Sequence, residues 1–476
     1  MYNTGFSTEV SPFAQRSDRH VTLKKSLIST FGIQTPTDVL SATIEKEIYY
    51  HGLMPREDVR LILDKNGDFL IRLSEPKAGE FRSYILSVMF NNKLDDFNSV
   101  KHFVINNAQK KYFINNNVSF NSIQQMLSHY QKSNTEIQDG CKLVIPIRRQ
   151  FWELDHEMIH IQKKLGEGAF GEVSAGIMKF KRGGKAVSVA VKQAKLEKLG
   201  KDQIKDFMME ARTMRKLGHQ NVVKFYGVAV LQEPLYLVME LVVFRNNTFS
   251  TTLIVKASNG ALDSYLKKNE DLPVEKRTEM LLQIAWGLEY IHGKPMLHRD
   301  IAARNCLYGD GQVKISDFGL TRNGTFYQVK PNTKAPIRWL AVETIKTMIC
   351  SQKTDVWAYG ILCWEVFNNG AEPYPGMTPA DVAQQVSNGY RMPPYPLAPP
   401  DVQTLMINCV AENPNDRPTM PEVAITLQRV TGVPRPNFAM IAKKQAEELL
   451  LMNTATVKTN TQRRKGTKKT AVPKGM

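Results

Sequence analysis

His298-Arg299-Asp300-Ile301-Ala302-Ala303-Arg304-Asn305, followed after a short interval by Asp317-Phe318-Gly319, is the stretch on which the reading of this chain turns. It spells H-R-D-x-x-x-x-N and then D-F-G. An isolated Asp or Asn would be assigned to a turn or a helix cap, but the joint pattern reverses that preference. Asp300 can accept the proton of an attacking hydroxyl. Asn305 and Asp317 offer the oxygen ligands that Mg²⁺ prefers when it bridges charged phosphates.

Upstream, Gly166-Glu167-Gly168-Ala169-Phe170-Gly171-Glu172-Val173 fits G-x-G-x-x-G-x-V, a strand-turn-strand that lies close over phosphates because glycine puts no side chain in the way. Alone it could be an ordinary hairpin, or a dinucleotide fingerprint, although the latter needs a helix directly afterwards. Here a strand-like Val189-Ala190-Val191-Lys192 follows instead. Lys192 projects from a half-buried strand, and a buried ammonium needs an anionic partner. Glu210 supplies one from a segment in which Ile204, Phe207, Met208, Ala211, Met214 and Leu217 form a helical apolar stripe. The ordinary fate of a lysine or a glutamate is to face solvent; four motifs in the right order argue otherwise.

Residues 159–432 resemble a protein kinase catalytic domain, and residues 47–147 resemble an SH2 domain. The implied fold class is α+β: an SH2 domain, with a central antiparallel sheet between two helices, followed by a bilobal kinase fold. SH2 before kinase with no SH3 domain, together with HRDIAARN and Pro336-Ile337-Arg338-Trp339, is similar to the Fes/Fer group of cytoplasmic tyrosine kinases. The membrane-bending domain of the long members of that group is not expected, since 46 residues cannot hold it. Serine/threonine kinases usually carry a lysine two residues after the catalytic aspartate; Ala302 stands there and Arg304 two positions further on, an arrangement that resembles the tyrosine-specific one.

The resemblance implies ATP with Mg²⁺, or Mn²⁺ in its place, and a role for each matching residue. Lys192 and Glu210 orient the α and β phosphates, Asp300 positions and deprotonates the tyrosine hydroxyl beside Arg304, and Asn305 and Asp317 hold the metal. Gly166, Glu167, Gly168, Ala169, Phe170, Gly171, Val173, Ala190, Met239, Glu240 and Leu307 complete the nucleotide site, with Met239 as gatekeeper and Glu240 to Val242 as the hinge. Tyr327, the only tyrosine between Asp317 and Glu343, is the expected site of self-phosphorylation. It is flanked by Arg322, Lys330 and Lys334 and can pair with Arg299 once phosphorylated. Asp355 should brace the catalytic loop and Glu343 should pair with Arg417. The alternative from another class is an SH2 adaptor carrying an inactive kinase fold.

In the first domain, the strand period of Phe69-Leu70-Ile71-Arg72-Leu73-Ser74 puts Leu70, Arg72 and Ser74 on one face and Phe69, Ile71 and Leu73 on the other. The SH2 resemblance makes Arg72 the bidentate phosphotyrosine ligand, with Ser74, Arg56 and His102 beside it. Tyr49 or Tyr50 stands where tryptophan is usual, and Val104 where some members place a basic residue. The partners expected are phosphotyrosine-containing proteins and protein tyrosine substrates.

Composition sets the outer bounds. The 476 residues are 42% hydrophobic and 23% charged, which excludes a wholly disordered, collagenous or membrane-embedded chain. Sixty-three basic against 46 acidic side chains leave +17, which favours anionic partners without choosing among them. From Pro434 onward, ten Lys or Arg against Glu447 and Glu448 leave +8. Residues 433–476 therefore read as a basic disordered tail, for which a solvated state is preferred to nucleic-acid binding. The five cysteines are scattered, with no C-x-x-C spacing, so neither a disulfide framework nor a zinc site is indicated. With no long apolar run, no secretion signal, and Tyr2 where myristoylation needs glycine, the expected location is cytoplasmic, any membrane contact being peripheral recruitment to the inner face of the plasma membrane.

Residues 1–46 read as a mobile arm and 148–158 as a linker. Residues 242–257 interrupt the family pattern just after the hinge with a β-branched stretch of no helical period. The preferred reading is a retained intron or a gene-prediction error, with a genuine surface loop as the alternative. Val342 replaces the proline of the family's A-P-E, which removes local rigidity but not the Glu343 charge.

Overall fold

The computed structural model describes residues 44–75, 80–94, 97–115, 117–168, 171–180, 186–194, 200–242, 260–330 and 335–454. Ala169, Phe170, Lys334, positions 243–257 of the hinge insertion, positions 1–43 of the arm and the tail beyond Thr454 lie outside the described residues. The described residues up to Gly52 cluster with Val59–Arg149 as one unit; Leu53–Asp58 cluster with the chain from Gln150 onward as the other.

A short helix, α1, spans Arg56–Arg60. The sequence of residues 55–65 reads as a helix followed by a turn at Asn66-Gly67, but the helix stops after five residues. Asp68 holds that turn, its Oδ2 accepting from the backbone nitrogens of Asp64 at 3.1 Å and Lys65 at 2.8 Å. Gly67 has φ +88° and packs against Val144, so a side chain there would be both strained and without room.

The sheet has the order β3 (Val100–Val104), β2 (Ser83–Met89), β1 (Asp68–Ser74), β6 (Ile145–Pro146). Strand β1 is antiparallel to β2 and parallel to β6. Phe69 through Arg72 are all buried, so this central strand is covered on both faces rather than alternating in and out. A hairpin of β4 (Asn106–Ala108) and β5 (Lys111–Phe113) precedes α2 (Ile123–Ser133). Helix α2 starts on the Ser122 hydroxyl, which accepts from Gln125 N at 3.1 Å. It buries Ile123, Met126, Leu127 and Tyr130 at helical spacing and stops at Asn134 in the left-handed region.

The second unit begins with a five-stranded antiparallel sheet in the order β10 (Phe225–Ala229), β11 (Tyr236–Glu240), β9 (Ala186–Ala194), β8 (Gly171–Lys179), β7 (Ile159–Gly168). Helix α3 (Lys201–Met214) buries the predicted stripe of Ile204, Phe207, Met208, Ala211 and Met214. The helical part follows: α4 (Leu262–Lys268), α5 (Val274–Gly293), the short strand β12 (Met296–Leu297), the hairpin β13 (Cys306–Gly309) with β14 (Gln312–Ile315), and strands β15 (Arg322–Asn323) and β16 (Phe326–Gln328). Then come α6 (Val342–Thr347), β17 (Ile349–Ser351), α7 (Gln352–Phe367), α8 (Pro379–Ser387), α9 (Pro400–Cys409) and α10 (Met420–Thr431). Helix α7 is apolar nearly all round and correspondingly buried, with Trp357 and Tyr359 at 0% exposure. The β13–β14 hairpin closes through Asp310 and Gly311, both at positive φ, as its glycine-rich turn predicts.

One expectation fails here. The supposed disordered tail contains helix α11 (Phe438–Thr454). The helix is seated by an aromatic anchor: the Phe438 ring lies 4.2 Å from that of His219 and 5.5 Å from that of Trp286, while Arg435 bonds Glu289 at 2.9 Å. Counting charges hid that single large apolar side chain. Likewise Ile44, assigned to the arm, is fully buried in a turn of 3-10 helix (Ile44–Lys46).

Candidate active site and phosphate-binding site

Strand pairing gathers the candidate nucleotide-site residues. Lys192 on β9 is flanked by Val173 on β8 and Leu237 on β11, and Ala190 by Ala175 and Met239. Gly168 pairs with Gly171 at the tip of the β7–β8 hairpin, with Gly166 opposite Val173 and Glu167 opposite Glu172. Leu307 enters β13, where it bridges Ala261. At the expected hinge, Glu240 N donates to Lys224 O at 2.9 Å. The Glu240 carboxylate accepts from Lys224 N at 2.7 Å and meets Lys314 at 3.1 Å.

Lys192 Nζ donates to both oxygens of Glu210, at 2.9 and 2.8 Å, with both side chains buried. Burial alone would lower the Lys192 pKa, but the Glu210 carboxylate, with Asp317 beyond it, holds the ammonium above its ordinary range. Asp317 Oδ1 stands 4.0 Å from Lys192 Nζ, and the Asp317 side chain is half exposed. Its φ of +58° lets the aspartate point outward while the next side chain, Phe318, is buried edge-on against His298 at 5.2 Å.

The catalytic loop is braced from below. Asp355, on α7, accepts from the backbone nitrogens of His298 and Arg299, each at 2.8 Å, and from His292 Nε2 at 3.1 Å. Burial would raise its pKa, yet His292 and these amides hold it below the usual carboxylate range. This anchoring keeps Arg299 at φ +70°, a conformation that costs a non-glycine residue energy. Asp300 then accepts a bond from Arg304, and Asn305 Nδ2 donates to the Asp300 carbonyl at 2.8 Å, which turns the amide oxygen away as a potential metal ligand. Glu343 and Arg417 form the expected pair, at 2.7 and 2.8 Å, with the arginine buried and the glutamate half-buried. Tyr327 is half-buried on β16, its ring 4.5 Å beneath the Arg299 guanidinium and 5.5 Å from that of Arg322.

In the first unit, Arg72 is 2% exposed and donates through Nε to Ser87 Oγ at 3.2 Å; Ser87 Oγ in turn lies 2.9 Å from His102 Nδ1. Three adjacent strands thus supply one basic cluster. Ser74 directs its described bond to the Glu75 carbonyl, at 3.5 Å, and Arg56 is exposed on α1.

Sequence reasoning missed Ser87, Glu365 and His292. The signal for Ser87 was a serine inside the apolar strand Ser83–Met89, and that for Glu365 an acid inside the apolar end of α7. For His292 the sequence offered only a polar residue near a helix end.

A two-lobed unit with a paired lysine and a D-F-G aspartate facing a braced H-R-D loop, preceded by a sheet with a buried arginine, defines an SH2-containing protein kinase. Sequence profiles agree: the SH2 domain matches residues 49–130, and the protein tyrosine and serine/threonine kinase family matches residues 159–427. Fer-related kinase 1 of Caenorhabditis elegans is 36% identical over 382 residues, covering 79% of this chain and 91% of that protein. Tyrosine-protein kinase Fer of Homo sapiens is 34% identical over 406 residues, 84% of this chain and 46% of its own length. The transforming protein Fps of Fujinami sarcoma virus, a tyrosine-protein kinase, is 32% identical over 381 residues, 79% of this chain and 40% of its own. The chain belongs to the Fer-related family of non-receptor tyrosine-protein kinases, enzymes that use ATP and a divalent metal. Among the described residues no helix is long and apolar enough to cross a membrane.

Proposed function

We propose that this chain transfers the γ-phosphoryl group of ATP to tyrosine hydroxyls of protein substrates, and that its SH2 domain brings it to partners already phosphorylated on tyrosine. The domains proposed are residues 47–147 and 159–432. The observation that carries the catalytic reading is the Lys192–Glu210 pair with Asp317 at 4.0 Å, the geometry of a lysine aimed at nucleotide phosphates. Lys192 orients the α and β phosphates. Asp300, steered by Arg304, positions the tyrosine hydroxyl and takes its proton as the oxygen attacks phosphorus.

Among the described residues no cluster of three or more His, Cys, Asp or Glu could hold a metal unaided. Mg²⁺ binds through one or two protein oxygens plus substrate phosphates, and the oxygen donors of Asn305 and Asp317 suit it. Asn305 and Asp317 would hold it, and when bound it neutralises phosphate charge. Arg72, backed by Ser87 and His102, is proposed to grip phosphotyrosine, with Arg56 and Ser74 in support, and Tyr327 to be the self-phosphorylation site, stacked beneath Arg299.

The test is phosphorylation of a Glu/Tyr copolymer. General-base assistance supplies about 10²–10⁴-fold, so Asp300→Asn should lose a factor of that order while still binding ATP. Retention of wild-type turnover by Asp300→Asn would remove Asp300 from its role. No described residue favours the inactive-scaffold alternative.

A further inference from the structure

One buried carboxylate has no part in the reading above. Glu365 lies near the end of α7 and is 3% exposed. A position chosen for packing alone would be filled by an apolar side chain, because taking a carboxylate out of water is costly. Its Oε2 accepts two bonds, from the backbone nitrogen of Ala303 at 3.0 Å and from Trp339 Nε1 at 3.0 Å. The first donor belongs to the catalytic loop and the second to the segment that follows Tyr327. On the Trp339 ring lies the Arg304 guanidinium, its central carbon 4.0 Å from the ring centroid, and that guanidinium bonds Asp300.

These contacts form one chain, from Glu365 through the indole to Arg304 and Asp300. An arginine on a long flexible stem holds a carboxylate in one direction only if something fixes its plane. A stacked indole does so, provided the indole itself cannot swing. We propose that Glu365 is a positioning residue for phosphoryl transfer: it locks Trp339 as the platform for Arg304 and so sets the orientation of Asp300. The inference rests on the assignment of Asp300 as the base.

The groups facing Glu365 come from every element around it: Ala303, Arg304 and Cys306 from the loop and β13, Trp339 from the segment before α6, Asp263 from α4, and Cys363 from its own helix. Burial, opposed by the Trp339 and Ala303 bonds and by Arg304 and reinforced by Asp263, pushes the Glu365 carboxyl up to about 7. The clamp therefore gains its full negative charge only above neutrality.

The experiment uses the full chain and four proteins: wild type, Glu365→Gln, Glu365→Ala and Trp339→Phe. Copolymer turnover is measured from about pH 5.5 to pH 8.5 and normalised to competent sites by stoichiometric nucleotide binding. Wild-type turnover per site should rise with pH through about 7. Glu365→Gln keeps an acceptor oxygen but no charge; it should flatten that limb and lose about tenfold at the alkaline end, with the KM for ATP unchanged. Glu365→Ala should lose about 10²-fold. Trp339→Phe, which keeps the ring under Arg304 but not its N–H, should fall between. If Glu365→Ala fails to fold, the other two variants decide. A per-site rate and pH profile in Glu365→Gln identical to wild type would overturn the positioning role, as would a loss shared equally by ATP affinity. Absence of transfer by the wild-type chain would overturn the proposed function and this inference together, whereas normal wild-type transfer with an unaltered Glu365→Gln profile overturns the inference alone.

Discussion

Each unit of this chain buries a cation on a central strand, and the two solve the same difficulty differently. Lys192 on β9 is an ammonium that burial would neutralise, and a bidentate bond to Glu210 keeps it charged. Arg72 on β1 is a guanidinium, charged in any surroundings, and its described bond runs to the hydroxyl of Ser87, itself linked to His102. A lysine site therefore needs its carboxylate before the ligand arrives, whereas a guanidinium keeps its charge whatever its neighbours.

That contrast can be broken by substitution. Lys192→Met should cost the most, about 10²–10³-fold in copolymer turnover with the fold retained. A Lys192→Met protein with full turnover would end the comparison. Next, Arg72→Ala should weaken binding of a phosphotyrosine peptide by about 2–5 kcal/mol, read by fluorescence polarisation, and leave copolymer turnover unchanged. Equal loss of both activities would mean that the two sites do not act independently. Ser87→Ala should weaken the same peptide by only about 1 kcal/mol, since it removes the hydroxyl that links Arg72 and His102 but no charge.

A pH measurement sharpens the point at a third buried charge. Glu365 is raised to about 7 in the folded chain, so the folded state holds a proton that the unfolded state has already released. Its contribution to stability is therefore full below the unfolded carboxyl pKa, declines as pH rises toward 7, and is then lost. Denaturant unfolding of wild type and Glu365→Gln across that window should show the difference between them growing with pH; a constant difference would count against the shift. Smallest of all, Phe438→Ala should cost about 1 kcal/mol by the same measurement, because the ring is only half-buried.

Legibility followed how local each signal was. H-R-D, D-F-G and the glycine hairpin are contiguous words whose chemistry can be named from residue types alone, and Glu210 was found because its helix carries an unbroken apolar stripe. Glu343 and Arg417 are far apart in sequence and were paired only through the family resemblance; the bond between them is now seen directly. Glu365 and Ser87 escaped because each is one polar residue in an apolar element, and nothing local tells which distant donor it will meet. Helix α1 ended early for a related reason: the Asp68 side chain, beyond the run, captured the backbone nitrogens that would have continued it.

Phe438 carries a practical consequence for anyone who isolates the catalytic half. A fragment ending at Gly432 would uncover the stacked rings of His219 and Tyr290, 4.9 Å apart, and the neighbouring Trp286. Such bare aromatic faces are adhesive in water, so the shortened enzyme should stick to itself and behave worse in solution than the intact polypeptide.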